Sequence, residues 1–380
     1  MQNDLLFARH GAIQPESVSA CSSGYTGGNQ WVLLDFRFYS DMATSKLLKD
    51  IIEKGASLKM KIEKRRLGKT DLEVFPIGLG SMQFAGGRGF FRFFLAPIAP
   101  DCMDEIVQVA LQNGINWIDT AEIYGGGASE RAVAHGLASA GKSPGDVVIT
   151  TKWMPVLKSA GSIKKAAEKS TKRLEPYPID LYLVHQPYSR SSIKAQMDAM
   201  ADLVDTGLIR AVGVSNFSKE RMVSAHESLA ERGLHLATNQ MQFSLLHRNI
   251  EYNGVLEAAK DLDVTITAYT PLGMGVLTGK LHSNPELFDS MPRFRRSRLR
   301  GKIKKSQPLI DELEAIAREH EATAAQVALS WAINYHGEKV VAIPGASKTY
   351  QAEQNAGAMR VSLSSEQMET LATISSELAG

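Results

Sequence analysis

The sequence predicts an α/β fold in which eight parallel strands close into a (β/α)8, or TIM, barrel. From Val74 onward, a short apolar strand, a loop and an amphipathic helix recur along the chain. Alternation of this kind is typical of a parallel sheet. Eight such units over roughly 300 residues indicate a closed barrel. Polar side chains also end one strand after another, as they do at the catalytic edge of such barrels.

The predicted units follow one another in a regular order. The first six strands, each with its following helix, are 75–80 with 103–113, 115–119 with 129–140, 147–151 with 163–174, 180–184 with 192–206, 209–214 with 218–230, and 237–240 with 250–261. Strand 264–269 precedes a long loop and two helices, 309–319 and 324–334. Strand 340–343 precedes helix 350–358, and a last helix follows Ser364.

Capping residues mark the ends of several of these helices. Asp101 and Ser218 are predicted N-caps, and Gly114 is a predicted C-cap. The sequence Thr-Ala-Ala-Gln at 323–326 predicts a capping box.

An open doubly wound sheet is the alternative architecture. Its dinucleotide-binding fingerprint should follow the first strand, and Gly78-Leu79-Gly80 begins such a pattern. Gln83 stands where the third glycine should be. We therefore interpret these glycines as a tight strand end.

Residues 1–59 differ in composition from the rest of the chain. The stretch 15–28 is small and polar, which is typical of loop or disorder. Residues 31–39 could form a strand and 46–54 a short helix, but neither has an evident partner. The run beginning at Met60 looks like a natural protein start. We predict a poorly ordered extension over 1–59 and a barrel domain over 60–380; the alternative is an ordered cap on the barrel floor.

Composition excludes several classes of protein. The formal net charge of +2 gives no general attraction to nucleic acid or membrane. Cys21 and Cys102 are the only cysteines, so neither a disulfide framework nor a cysteine zinc cluster is expected. No stretch is long and apolar enough to span a membrane, and no signal-peptide pattern opens the sequence. A cytoplasmic protein without a metal site is predicted.

Polar residues end the predicted strands in succession. They are Asp119, with Tyr124 just beyond it, then Lys152, His185, Ser215-Asn216, Asn239-Gln240 and Tyr269. Each alone has a structural alternative: Lys152 could extend out of the barrel, and His185 could be a satisfied buried histidine. In a closed barrel, however, all of these positions converge on one space.

Four of these residues, Asp119, Tyr124, Lys152 and His185, resemble the catalytic tetrad of the aldo-keto reductase superfamily in order and spacing. The resemblance covers about 61–378 and is closest to the long-loop branch that contains bacterial oxidoreductases and potassium-channel β subunits. The supporting motifs are Gly-Leu-Gly-Ser-Met at 78–82, Asp-Thr-Ala-Glu-Ile-Tyr-Gly at 119–125, Gly-Val-Ser-Asn-Phe at 213–217, Asn-Gln at 239–240, Tyr-Thr-Pro-Leu-Gly at 269–273 and Ile-Pro-Gly-Ala at 343–346.

The resemblance implies a role for each member of the tetrad. Tyr124 is expected to give a proton to a carbonyl oxygen that gains charge as hydride arrives. The Lys152 ammonium is expected to lower the pKa of Tyr124, and Asp119 to hold Lys152 in place. His185 is expected to donate a hydrogen bond to the carbonyl oxygen.

A nicotinamide cofactor, NADPH with NADH possible, is also implied. Ser215, Asn216 and Gln240 would hold the carboxamide, and Tyr269 would lie against the ring. Loops after strands seven and eight would hold the phosphates. The remaining cofactor residues are Met82, Thr270, Pro271, Leu272, Gly273, Gly275, Leu277, Gly345, Ser347, Lys348, Gln351, Gln354 and Asn355. Gln351 stands where many members carry an arginine for the 2′-phosphate, so a modest NADPH preference is predicted, with Lys348 supplying charge.

Two further stretches each have more than one interpretation. The loop 86–94 carries four phenylalanines and could be an apolar lid, a partner surface or a loop packed on its own barrel. Phe90, Trp153 and Tyr188 are the candidate substrate contacts. The basic run 293–305 could be a solvated loop or a flap over the pyrophosphate.

The leading functional hypothesis is a reductase of aldehydes or ketones, with a small carbonyl compound as its partner. The alternative is a cofactor-sensing regulatory subunit of the potassium-channel β type with slow turnover. A sugar isomerase on a similar barrel is disfavoured, because the acidic metal ligands of such enzymes are missing from the sequence. The sequence leaves the physiological substrate and the oligomeric state open.

Overall fold

A computed structural model describes residues 62–89, 95–289, 291 and 293–378. The predictions for 1–59, for Phe90 and for most of the phenylalanine-rich loop lie outside these residues and stay predictions.

Eight parallel strands form the centre of the molecule, as predicted. They are β3 (Leu79–Gly80), β4 (Trp117–Asp119), β5 (Val148–Trp153), β6 (Ile179–Val184), β7 (Ile209–Ser215), β8 (Leu236–Gln242), β9 (Thr265–Tyr269) and β10 (Val340–Ile343). Each strand pairs with its neighbour in sequence order. Parallel bridges from Ile77 to Ala342 and from Gly80 to Gly345 join the first strand to the last. The sheet is therefore closed into a barrel.

Helices follow the barrel strands, and most of them bury apolar residues against the strands, although the short helix Pro285–Asp289 has no buried residue. They are α1 (Pro100–Gln112), α2 (Ala128–Ser139), α3 (Ile163–Leu174), α4 (Ile193–Asp205), α5 (Lys219–Ala230), α6 (Val255–Asp261), α7 (Lys280–Ser283), α8 (Pro285–Asp289), α9 (Arg293–Lys305), α10 (Gln307–Glu319), α11 (Ala324–Asn334), α12 (Thr349–Gly357) and α13 (Ser365–Glu377). The larger cluster of buried apolar side chains lies between the helices and the barrel strands.

Most predicted helix boundaries agree with these elements within a few residues. The capping box at Thr323 and the N-cap at Ser218 are confirmed. Asp101 is not an N-cap: α1 begins at Pro100, which puts Asp101 inside the first turn. Helix 250–261 is shorter than predicted, because a 3-10 turn, Asn249–Glu251, precedes α6. The basic run forms a helix, α9, where a loop was considered.

A hairpin that sequence analysis did not predict lies on the barrel floor. Its strands, β1 (Arg65–Arg66) and β2 (Glu73–Val74), pair in antiparallel fashion. Leu67, Leu72 and Val74 of the hairpin are buried with the apolar side chains that fill the barrel. The carboxyl end of the strands lies at the opposite end of the barrel. Among the described residues, no helix combines the length and apolar character that crossing a membrane requires.

Candidate active site

Three adjacent strands bring the predicted tetrad to the carboxyl end of the barrel. Asp119 is the last residue of β4, Lys152 is the penultimate residue of β5, and His185 directly follows β6. The backbone continues the ladder past β6, since His185 N donates to the Trp153 carbonyl at 2.9 Å. Tyr124 lies in the turn after β4. The sequence places all four residues on one rim because parallel strands end there together.

A buried ion pair is the centre of this site. Lys152 is fully buried, and its Nζ donates to Asp119 Oδ1 at 2.5 Å and to the Thr120 carbonyl at 2.7 Å. Gln240 Nε2 donates to the other carboxylate oxygen, Asp119 Oδ2, at 2.8 Å. Both carboxylate oxygens are therefore occupied, and the Lys152 ammonium is held in one position.

Tyr124 and His185 lie beside this pair. Lys152 Nζ is 5.2 Å from the centroid of the Tyr124 ring. The rings of Tyr124 and His185 meet edge to face with centroids 5.8 Å apart. The Nδ1 atom of His185 is buried without a hydrogen-bond partner among the residues described. A carbonyl group placed between the two rings would lie near both a phenol and an imidazole.

Burial determines the charge states of these groups. It raises the pKa of Tyr124, and the negative charge of Asp119 raises it further. Burial also holds the pKa of His185 well below its usual value, with the Lys152 charge acting in the same direction. Burial lowers the pKa of Lys152, which the Asp119 carboxylate opposes. At neutral pH the site therefore presents a protonated phenol and a neutral imidazole.

We predicted that Lys152 lowers the pKa of Tyr124, but in the structure the pKa of Tyr124 is raised. Lys152 shares its charge with Asp119, so the pair has little net charge to act on the phenol. Desolvation of the phenolate then dominates and keeps the proton on Tyr124.

Residues predicted for the carboxamide form a connected group next to the tetrad. Ser215 Oγ donates to the Gln240 carbonyl at 3.0 Å, and Asn216 Nδ2 donates to Ser215 Oγ at 3.0 Å. The Tyr269 hydroxyl donates to Asn216 Oδ1 at 2.9 Å. Asn216 has a φ of 61°, in the left-handed region that asparagine tolerates better than most residues. The structure thus brings these four predicted residues together.

The loop after β9 has the backbone expected of a phosphate-binding loop. Thr270, Gly273 and Gly275 all have positive φ, at 54°, 56° and 93°. Such a backbone can approach a ligand closely. Pro271 and Leu272 complete this turn, with Pro271 buried. Leu277 is fully buried in the core, so its part in a cofactor site is limited to shaping the loop.

The predicted adenosine-phosphate segment begins α12. Lys348 is the exposed N-cap residue of this helix. Gln351 does not reach outward, because its Oε1 accepts hydrogen bonds from Ser347 N at 2.8 Å and Ser347 Oγ at 3.1 Å. Asn355 is buried and donates to the Gly345 carbonyl at 3.3 Å, and Gln354 is half-buried.

The Gln83 amide lies beside Gly345, and its hydrogen bonding indicates whether a polar ligand fits there. Its Oε1 is buried and has no partner among the described residues. A Cβ at Gly345 would come within 2.1–2.4 Å of the Gln83 amide, so the glycine makes room for that amide. Met82, its neighbour, is 39% exposed at the same rim. An unpaired acceptor beside open backbone fits the donor groups of a nicotinamide cofactor.

The structure corrects one candidate substrate contact. Side chains alternate between the two faces of a strand, and Lys152 points into the barrel. The next residue, Trp153, is fully buried on the helix side, where its Nε1 donates to Ser162 Oγ at 3.2 Å. Trp153 therefore does not line the rim. Tyr188 lies in the loop after β6 and is 68% exposed.

Sequence analysis missed three residues that shape the site. Glu122 and Glu130 flank Tyr124 in sequence, and both are bonded to neighbouring segments. Their acidic character inside an apolar stretch was the available signal. Lys280 lies 4.6 Å from the centroid of the Tyr350 ring and joins α7 to α12 beside the predicted phosphate segment.

Comparison with known proteins gives one consistent result. The model of the Aldo/keto reductase family matches residues 76–376. An uncharacterized oxidoreductase of Mycobacterium tuberculosis is 37% identical over 303 residues, which cover 79% of this chain and 88% of the relative. The chloroplastic pyridoxal reductase of Arabidopsis thaliana is 31% identical over 301 residues, covering 76% of this chain and 80% of the relative. A solved aldo/keto reductase of Klebsiella pneumoniae, in complex with NADP and acetate, superposes with a TM-score of 0.62 at 27% identity, covering 82% of this chain and 94% of that one.

Proposed function

This chain belongs to the aldo/keto reductase family, and we propose that it reduces aldehydes or ketones to alcohols with NADPH as hydride donor. One observation carries the proposal. A buried Lys152–Asp119 pair lies against the Tyr124 ring, and the neutral His185 ring meets Tyr124 edge to face. These are the groups that a carbonyl oxygen needs as it becomes an alkoxide.

The proposed roles follow from the charge states of these groups. When bound, the cofactor supplies the hydride that adds to the carbonyl carbon. Tyr124 then transfers its phenolic proton to the carbonyl oxygen, so the product is a neutral alcohol. The neutral imidazole of His185 donates an N–H to the same oxygen and orients it. Lys152, held by Asp119, lies 5.2 Å from the ring of the phenolate that remains until the proton is replaced.

The proposed cofactor residues act by position. Ser215, Asn216 and Gln240 present amide and hydroxyl groups to the carboxamide, and Tyr269 offers a flat face to the ring. Gln240 has a second task, because its amide also donates to Asp119. The remaining residues of the loop after β9 and of α12 hold the phosphates and the adenosine. Lys348 is the proposed partner of the 2′-phosphate.

The test is oxidation of NADPH against a panel of carbonyl compounds, with NADH run in parallel. Pyridoxal belongs in the panel because one relative is a pyridoxal reductase. Tyr124→Phe should lower kcat by about 10²–10⁴-fold and leave the Kd for NADPH nearly unchanged. Tyr252→Phe, at a tyrosine that is 70% exposed, is the matched control and should keep full activity.

Retention of more than about a tenth of the activity by Tyr124→Phe would exclude Tyr124 as the acid. Turnover limited by cofactor release in the wild-type protein would instead favour a regulatory subunit.

A further inference from the structure

A second cluster of buried apolar side chains lies apart from the main core, mostly in the segment between β9 and α10. Helices α7, α8 and α9 supply most of its members. None of them belongs to the tetrad or to the proposed cofactor residues. Three members are buried and four are partly buried against them: Val276, Leu281 and Leu299, with Leu246, Phe288, Met291 and Ile303.

A cleft of about 490 Å³ opens between α7, α8 and α9 at this cluster. Leu281, Phe288 and Ile303 line it together with Pro285, so much of its wall is apolar. Its volume lies within the range of about 300–1,000 Å³ that is typical of small-molecule sites. The cleft is therefore large enough for a ligand with an apolar body.

Two cationic side chains of α9, Arg300 and Lys304, line the same cleft. They are four residues apart on one helix, which places their Cβ atoms about 5–6 Å apart. Both are exposed, and in the described part of α9 only Arg296 has an acidic partner, Asp289. His282 also lines the cleft, but burial lowers its pKa, so its imidazole is neutral at pH 7. The positive charge of the cleft therefore comes from two neighbouring side chains on one helix.

Helix α7 separates this cleft from the proposed cofactor segment, because its residues contact two different parts of the molecule. Lys280 Nζ lies 4.6 Å from the centroid of the Tyr350 ring in α12. The next residue, Leu281, is buried in the second cluster, and His282 Nε2 lies 3.0 Å from Ser306 Oγ, just before α10. The cleft is thus on the side of α7 that meets α9 and α10.

We infer that this cleft is a second ligand site, which binds an organic anion with an apolar body, such as a medium-chain carboxylate. The alkyl chain would pack against Leu281, Phe288 and Ile303. The carboxylate would meet Lys304 and Arg300, and arginine can pair with a carboxylate through two bonds. The inference goes beyond the proposed function, because binding in this cleft needs neither the tetrad nor turnover.

Titration calorimetry of the full chain with octanoate, butanoate and octan-1-ol tests the ligand class. Octanoate should bind at one site. Butanoate should bind about a hundredfold more weakly, because it lacks four of the methylenes that the apolar wall would cover. Octan-1-ol should bind about tenfold more weakly, because it keeps the chain and lacks the charge.

Substitutions on α9 test the position of the site. Arg300→Gln and Lys304→Gln should each weaken octanoate binding about tenfold and leave octan-1-ol binding unchanged. Lys302→Gln is the matched control, because Lys302 is an exposed residue of the same helix. It lies two residues from each of the others, about 200° around the helix and so on the opposite face. It should leave the Kd for octanoate unchanged.

Absence of octanoate binding would overturn the inference. So would binding that Arg300→Gln and Lys304→Gln do not weaken, since that result would place octanoate elsewhere, for example in the barrel. An equal loss in Lys302→Gln would also overturn it, because the ligand would then respond only to the general positive charge of α9. Failure of the proposed function is distinguishable, because calorimetry measures binding without turnover.

Discussion

Tyr124 and His185 owe their charge states to burial more than to neighbouring charges. Lys152 is bonded to Asp119, so its ammonium does not draw the proton from Tyr124. His185 stays neutral because burial disfavours the charged form of its imidazole. An acid that holds its proton until charge appears on the substrate is suited to reduction. The pH dependence of the protein should reflect these residues.

His185 should make the protein less stable in mild acid. Its pKa is held well below 6.5 in the folded state by burial, then by Lys152, whereas the unfolded chain has the ordinary value of about 6.5. Above that pH the imidazole is neutral in both states. As pH falls below it, only the unfolded chain takes up the proton, so stability is lost.

Urea unfolding between about pH 8 and pH 5 checks this prediction. His185→Gln should flatten the acid fall in stability relative to the wild-type protein. His135→Gln is the control with the opposite sign, because the hydrogen bond to Asp104 raises the pKa of that exposed histidine. Its stabilisation is present below about pH 6.5 and is lost as pH rises. Identical acid slopes for His185→Gln and the wild-type protein would contradict the assignment.

Lys348 should decide cofactor choice. Gln351 supplies no charge, and its Oε1 is engaged by Ser347. Lys348→Ala should weaken NADPH binding about tenfold or more, the size of one charged hydrogen bond, and should hardly affect NADH. Gln351→Arg should strengthen NADPH selectively, because arginine can pair with a phosphate through two bonds. Fluorescence quenching gives each Kd. Equal losses for both cofactors in Lys348→Ala would point to the basic helix α9 instead.

Among the secondary-structure elements, the start of α2 connects the ends of several strands that carry the site. Ser129 Oγ donates to the Ser81 carbonyl at 2.8 Å and links the ends of β3 and β4. The neighbouring Glu130 is fully buried, accepts from Thr151 Oγ1 at 2.7 Å and pairs with Arg173 of α3. Thr151 directly precedes Lys152. The helix therefore holds β5 from behind while the tetrad occupies its inner face.

Loss of the Glu130 charge should destabilise the fold. Glu130→Gln leaves Arg173 without its carboxylate, and breaking a partly buried pair should cost about 2–3 kcal/mol. Glu168→Gln removes the same charge from an exposed position of α3 and should change stability by less than about 0.5 kcal/mol. Urea midpoints measure both. Equal effects of the two substitutions would show that the buried pair has no special weight.

For the whole molecule, the floor hairpin joins the two ends of the barrel domain. Arg65 is buried, and its guanidinium donates to the carbonyl groups of Ile333 and Val340 and to Asn334 Oδ1. The Ile333 carbonyl and Asn334 belong to α11, and Val340 begins β10. A hairpin near residue 65 thus contacts residues 268–275 positions later in the chain. Removing the hairpin would open the apolar interior of the barrel.

Truncated chains should show whether residues 1–59 contribute to the stability of the barrel domain. A chain that starts at Met60 keeps the hairpin, so it should fold, turn over normally and melt within about 2 °C of the full chain. A chain that starts at Val74 lacks Leu67 and Leu72 and should not fold stably. Thermal melting monitored by circular dichroism checks both. A fall of many degrees for the Met60 chain would show that residues 1–59 stabilise the barrel.

The sequence by itself determined the barrel and the rim on which the site would lie. Strand 340–343 and the capping box at 323–326 depend on patterns a few residues long, which can be recognised in the sequence without the fold. The convergence of Asp119, Lys152 and His185 followed as well, because parallel strands in a closed barrel end on one side.

Only the tertiary structure decided how these groups are used. Lys152 shares its charge with Asp119, Gln351 bonds to Ser347, and Glu130 pairs with Arg173, 43 residues away. Trp153 faces the helices, and the floor hairpin depends on contacts across most of the chain. Such pairings are set by distances between distant segments and by how far water is excluded. A local pattern of residues contains neither the distances between distant segments nor the degree to which water is excluded.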